Sequence, residues 1–144
     1  LAAIGDLTPG RLASITEFRD HLLGIGLAYS EVLASEPRLM RLIVVQAAGV
    51  DQQMTEEFQR VFDDGARVLR AMLRDGIDQG YIRADVDVQA TAQTVCAIPF
   101  GIALRYGQKP SREELIAQTL ASNEMVCRGI ATEWPAPNPE GEAS

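Results

Sequence analysis

Residues 66–104 read A-R-V-L-R-A-M-L-R-D-G-I-D-Q-G-Y-I-R-A-D-V-D-V-Q-A-T-A-Q-T-V-C-A-I-P-F-G-I-A-L, and this stretch decides the fold. Arg67, Arg70 and Arg74 recur at helical spacing opposite Leu69, Met72 and Leu73, which describes an amphipathic helix. The helix runs into Gly80, a residue suited to the left-handed C′ position that ends helices. After a short turn, Asp85 or Asp87 is placed to cap a second helix by accepting its orphan N–H groups. That second helix differs in kind. From Val95 to Leu104 it carries no charge, amide or hydroxyl, so more than one of its faces must be buried. A helix that is apolar on two sides packs on its own domain with one and on a partner with the other.

Working outward, three more helices are predicted and no strand. The first opens at Thr8 with Pro9 at the first helical position and runs to Ala34, with Ile15, Phe18, Leu22, Ile25, Tyr29 and Val32 at three- and four-residue spacing. Ser35 caps a short second helix that carries Leu39, Met40, Ile43, Val44 and Ala47 and stops before Gly49. The third spans Asp51–Gln79, with Met54, Phe58, Val61, Phe62, Gly65, Leu69, Met72, Leu73 and Gly76 on one face. Arg60, Asp63, Arg67, Arg70, Arg74 and Asp78 lie opposite, as a solvated face. The fourth spans Val88–Tyr106 and contains Pro99. The fifth begins at a capping box, Ser111 to Glu114, and carries a large stripe (Ile116, Leu120, Cys127, Ile130, Trp134) beside a small one (Thr119, Ser122, Val126, Gly129). The expected fold is all-α: five main helices in an antiparallel bundle spanning residues 1–134, with a disordered Pro-rich tail over 135–144.

The chain has 144 residues, 47% of them hydrophobic and 23% charged, the balance of a single globular domain. A net charge of −7 argues against this segment holding nucleic acid by itself, because phosphate contacts supply most non-specific affinity. Cys96 and Cys127 both fall in apolar helices and read as buried free thiols, which fits the cytoplasm. No segment reaches the roughly 20 apolar residues of a membrane span.

The arginine-rich helix, then D-G-I-D-Q-G-Y-I-R-A-D-V-D (residues 75–87), then the Ala-rich apolar helix resembles the helix junction in the C-terminal domain of TetR-type transcriptional regulators. S-E-P-R-L-M-R-L-I-V-V-Q-A (35–47) is similar to a short helix of the same domain. The likeness runs from about Thr8 to Trp134. The helix-turn-helix by which that family binds DNA has no counterpart in these residues. With Leu1 rather than Met at its start, the chain reads as a fragment or trimmed domain.

The resemblance implies an effector cavity between the first four helices and a homodimer in which the last two helices of each chain form an intersubunit four-helix bundle. The cavity would take a small, largely apolar effector against Phe18, Leu22, Met40, Val44, Phe58, Phe62, Gly65, Leu69 and Val95. His21, Tyr29, Thr91 and Tyr106 are its candidate polar handles. The dimer seam would use Ala90, Ala97, Phe100, Gly101, Leu104, Thr119, Ser122, Val126 and Gly129. DNA would be contacted only through a segment absent from this chain.

Catalysis finds little support in the residues. Glu17 and His21 stand one turn apart as two possible metal ligands, but a di-iron bundle needs a Glu-x-x-His pair on each of two helices, so neither a metal, a cofactor nor an enzyme is expected. His21 itself reads as a structural histidine or a polar pocket contact. Gly65 and Gly76 break the buried face of the third helix, either for close helix crossing or, at Gly65, to leave room for a ligand. Pro99 would free the carbonyl of Val95. Two other classes stay open: a ligand-free helical protein–protein interaction module, and a helical-bundle enzyme.

Overall fold

The computed structural model describes residues 10–47, 49, 52–106 and 111–135. Five helices follow in order: α1 (Ile15–Ser35), α2 (Pro37–Ala47), α3 (Gln52–Gln79), α4 (Val88–Tyr106) and α5 (Arg112–Ile130). They pack on one another as an all-α bundle in which α5 lies along α1 and α4 lies between α3 and α5. Outside the helices, Ile82 and Ala131 form a single antiparallel bridge.

The junction quoted first closes as its residues predict. Gly80 takes φ +86°, its N–H donates to Ile77 O and the Tyr81 N–H donates to Gly76 O. These two bonds are the Schellman closure that satisfies the last carbonyls of a helix. Gly76 serves the same corner: a Cβ there would lie 2.5 Å from Ile82 Cδ1 and 2.8 Å from the Tyr81 ring. Its role is close packing, and the turn lies against it. The turn is then tied to the end of α5, because Arg83 N donates to Ile130 O and Thr132 N to Tyr81 O. Asp87 is the residue that caps α4, accepting from Ala90 N at 2.9 Å; Asp85 instead pairs with Arg83 at 3.0 Å.

Three boundaries differ from the sequence expectation. Thr8 and Pro9 lie outside the described residues, and Arg11–Ala13 are not helical. Ser14 is the N-cap of α1: extended at φ −151°, ψ 162°, it accepts from Glu17 N, while the Glu17 carboxylate accepts from Ala13 N at 2.8 Å. Leu12 is held off the helix axis by Gln79 Nε2, which donates to its carbonyl at 2.6 Å. Ser35 is the last residue of α1 and turns its hydroxyl back to Val32 O, and α2 begins only at Pro37. At the other end α5 stops at Ile130, and Trp134 lies beyond it, its ring within reach of the guanidinium groups of Arg19 and Arg128. Residues 136–144, most of the expected tail, lie outside the described residues.

The buried face of α5 is also turned from its apolar stripe. Leu115, Thr119, Asn123, Cys127 and Ile130 face inward, while Ile116 and Leu120 are only half-buried. The opposite helix explains the choice. Gly26 of α1 has no side chain, and a Cβ there would come within 2.5 Å of Asn123 Nδ2 and 3.2 Å of Thr119 Cγ2. Two polar residues of α5 occupy the space the glycine leaves.

The core is consequently divided along the bundle. One cluster gathers Ile15, Phe18, Leu22, Leu69, Leu73, Ile82, Val95 and Cys127 at the end nearest the α3–α4 turn. The other gathers Leu33, Ile43, Ala103 and Leu115, with Phe58 and Phe100 against it, at the opposite end. Between the two levels stand Gly26, Ser30, Gly65, Thr119 and Asn123, which are small or polar. Ser30, fully buried, returns its hydroxyl to Gly26 O at 2.8 Å.

Candidate functional site

At this level the packing fails to close, and a cavity of about 50 Å³ remains. Its walls come from four helices: Leu22, Ile25, Gly26 and Tyr29 of α1, Gly65, Val68 and Leu69 of α3, Val95, Cys96 and Pro99 of α4, and Asn123 of α5. Helices α1 and α3 barely meet, and Ile25 and Tyr29 of α1, Val68 of α3 and Cys96 of α4 are all half-buried.

Three polar groups enter an otherwise apolar wall. Asn123 is 2% exposed, and among the described residues its Oδ1 has no hydrogen-bond partner. A buried acceptor left unpaired costs on the order of 1–3 kcal/mol, so such a group needs a reason to persist. Tyr29 sets its ring edge-on to Phe100, with centroids 6.0 Å apart; its hydroxyl lies 3.6 Å from where a Gly65 Cβ would stand. Cys96 Sγ lies 3.4 Å from the same point. Burial raises the pKa of the Tyr29 phenol and pushes the Cys96 thiol up to about 11, so both are neutral near pH 7. Cavities of this kind, apolar with a few convergent polar groups, are the usual form of small-molecule sites.

Of the residues that the sequence nominated for ligand contact, the cavity brings together Leu22, Tyr29, Gly65, Leu69 and Val95. Phe18 stands elsewhere, fully buried against Tyr81 in the first core cluster. Phe58 and Phe62 stack on each other, and Phe58 meets Phe100 edge-on at 5.2 Å. Phe58 packs against the second cluster, and neither Phe58 nor Phe62 lines the cavity. His21 and Thr91 are half-buried and are not part of the wall. The side chains of Met40, Val44 and Tyr106 lie outside the described residues. Sequence reasoning missed Ile25, Gly26, Val68, Cys96 and, above all, Asn123. The available signal was the break in two inward stripes, Gly26 on α1 and Thr119–Asn123 on α5.

The residues nominated for the seam divide differently. Ala90, Ala97, Gly101 and Gly129 are exposed, Leu104 is 38% exposed, and a Cβ at Gly101 or Gly129 would meet nothing within 4 Å. Ser122 and Val126 are half-buried. Thr119 is fully buried inside the protomer and Phe100 is engaged with Tyr29 and Phe58; neither is on an outward face. Ala117, Ala121 and Met125, the last 69% exposed, extend the outward apolar surface of α5.

No family model, curated protein or solved structure matches this chain. Among the described residues no helix is long and apolar enough to cross a membrane.

Proposed function

We propose that this chain is the effector-binding and dimerisation domain of a TetR-type transcriptional regulator. The observation that carries the reading is the mostly apolar cavity between α1, α3, α4 and α5, with Tyr29, Cys96 and Asn123 among its lining residues. The helix order and the α3–α4 junction agree with it. In this reading the small effector enters where α1 and α3 diverge and favours a wider spacing of these helices. DNA-reading heads, on residues outside this chain, respond to that population shift. The domain itself performs no catalysis, takes no cofactor and works in the cytoplasm.

Gly65→Leu tests the ligand site. The first added carbon makes only ordinary contacts, 3.4 Å to Cys96 Sγ and 3.6 Å to Tyr29 Oη, and the remaining carbons occupy the cavity. Thermal melts should show a variant as stable as the parent, or more stable by up to about 1 kcal/mol through helix propensity, that no longer responds to ligand. If the space is solid instead, the same change should cost about 1–3 kcal/mol, and the ligand reading fails.

The dimer is proposed on the exposed faces of α4 and α5. The outward residues of α4 from Gln89 to Leu104 include Ala90, Gln93, Thr94, Ala97 and Gly101, none of them charged. Small side chains let a second copy approach closely, and in a two-fold seam each substitution acts twice. Gly101→Arg should therefore leave a folded monomer, with the dimer dissociation constant raised about 100-fold or more by two unpaired buried charges. Light scattering that finds the parent chain monomeric at micromolar concentration would remove this part of the proposal.

A second reading is favoured by one observation. A cavity of about 50 Å³ is well below the roughly 300 Å³ at which drug-sized pockets begin, as suits a ligand-free interaction module. Native mass spectrometry of the purified protein distinguishes the two, since it reports the oligomer and any co-purified small molecule together.

A further inference from the structure

On the ligand reading above, the wall of the cavity specifies the chemistry of what it takes. We propose that the occupant is a small, uncharged, otherwise apolar molecule bearing one carbonyl group, and that the carbonyl oxygen accepts a hydrogen bond from the Tyr29 hydroxyl beside Gly65.

Charge is decided by what the wall lacks. None of the described lining residues is a lysine, arginine, histidine, aspartate or glutamate, and burial keeps the Tyr29 phenol and the Cys96 thiol protonated near pH 7. Arg70 acts electrostatically on Cys96 but is not part of the lining. An anion or cation entering here would leave its hydration behind and find no opposite charge, a transfer far more costly than that of a neutral group.

The carbonyl is decided by Tyr29. Its ring is set by packing, edge-on to Phe100 with centroids 6.0 Å apart, and Phe100 is set in turn against Phe58. The hydroxyl reaches Gly65: its oxygen lies 3.6 Å from where a Cβ would stand, and Cys96 Sγ lies 3.4 Å from the same point. Among the described residues no other group outside α3 comes within 4 Å of that point. Tyr29, Gly65 and Cys96 all line the cavity, so the missing side chain leaves a notch flanked by both heteroatoms. The Tyr29 oxygen is open to an occupant. Among the described residues it makes no hydrogen bond, yet it is not one of the sealed atoms without a partner, which belong to Tyr81, Thr119 and Asn123. Both groups at the notch hold their protons, the phenol as a good donor and the thiol as a weak one. A carbonyl oxygen, which only accepts and has two lone pairs, answers both. A hydrocarbon there would displace water from the phenol and leave the donor unpaired.

Size is decided by the surroundings. A cavity of about 50 Å³ is smaller than the roughly 150 Å³ space that holds a benzene ring. A single small ring or a short chain is therefore the upper scale, and α1 and α3, which barely meet, part to admit it.

Cyclopentanone, methylenecyclopentane and cyclopentanecarboxylate form a probe set of similar shape: a carbonyl, the same outline with carbon in place of the oxygen, and an anion. Each is titrated into the full chain and into Tyr29→Phe, which removes the hydroxyl and keeps the ring on Phe100, and binding is followed by the methyl resonances of Ile25, Val68 and Val95. Cyclopentanone should bind the parent and lose about tenfold in affinity in the variant, the factor expected of one net hydrogen bond. Methylenecyclopentane should bind both proteins equally, and the carboxylate neither. Comparing each probe across the two proteins cancels its own cost of leaving water. Equal affinity of cyclopentanone for parent and variant would overturn the bond to Tyr29, as would an equal loss by methylenecyclopentane. Carboxylate binding most tightly would overturn neutrality. Each of these results leaves the cavity as a ligand site. Absence of any change at the three residues with all three probes would instead remove the site itself, and the ligand reading with it. The infrared carbonyl stretch of cyclopentanone bound to the parent is a check that needs no variant: it should lie below its frequency in hexane, and an equal frequency would overturn the hydrogen bond.

Discussion

Phe18→Ala should destabilise the protein by about 3–5 kcal/mol, the cost of deleting a fully buried ring without collapse of the space it leaves. Phe18 is 1% exposed and belongs to the cluster that joins Ile15 and Leu22 of α1 to Leu73 of α3, to Ile82 of the turn and to Cys127 of α5. Its ring lies against Tyr81 with centroids 6.4 Å apart and planes tilted by 51°. Its loss would therefore release three helices and the turn bridged to Ala131. Urea denaturation should show a lower midpoint with an unchanged slope. Phe62→Ala should cost clearly less, because Phe62 is only half-buried. The pair separates packing from ligand contact: the Phe18 variant, while folded, should keep the parent's ligand affinity. A loss of ligand response at full stability would place Phe18 at the site after all.

Local chemistry made much of the fold legible. Gly80, Asp87 and Ser111 each announce a helix end by a requirement of their own backbone or side chain, and each acts where it was expected. The start of α1 was less legible: Thr8–Pro9 was its expected opening, and Ser14 is the observed cap. A long-range bond favours the second, since Gln79 holds the Leu12 carbonyl. On α5 the apolar stripe pointed to Ile116 and Leu120, yet Thr119 and Asn123 face inward because Gly26, about a hundred residues away in sequence, leaves them room. The cavity was the least legible feature. Leu22, Gly65, Leu69 and Val95 could be found from helix periodicity, since they lie on inward faces. Whether such residues touch one another or enclose space depends on the sum of side-chain volumes over four helices, and no single stripe contains that sum. Phe18, Phe58 and Phe62 have the same periodicity and fill their surroundings completely or stack on each other.

Alkaline pH should unfold the protein between pH 9 and 12, with Cys127 contributing about 4 kcal/mol of the loss, at about 1.4 kcal/mol for each step of one in pH. Burial first, and the Glu124 carboxylate second, push this thiol from its ordinary 9.0 up to about 12. Below pH 9 the folded and unfolded chains both keep the proton, and the stability is fully present. Between 9 and 12 the unfolded chain has released a proton that the folded chain retains, so stability falls as pH rises. Above 12 both states are thiolate and the loss is complete. Cys96, pushed to about 11, acts in the same direction over a narrower window, and the raised phenols of Tyr29 and Tyr81 reinforce it. Urea midpoints from pH 7 to 11.5 under reducing conditions should fall steeply for the parent and much less for Cys127→Ala. Parallel curves would mean that Cys127 ionises while folded, and hence that the α1–α5 crossing opens without global unfolding. Thiol labelling at pH 8 adds the spatial distinction. Cys96 borders the cavity and is half-buried, so it should react through local opening, and an occupant of the cavity should slow it. Cys127, one turn beyond Asn123 on the inward face of α5, should react only at the rate of global unfolding.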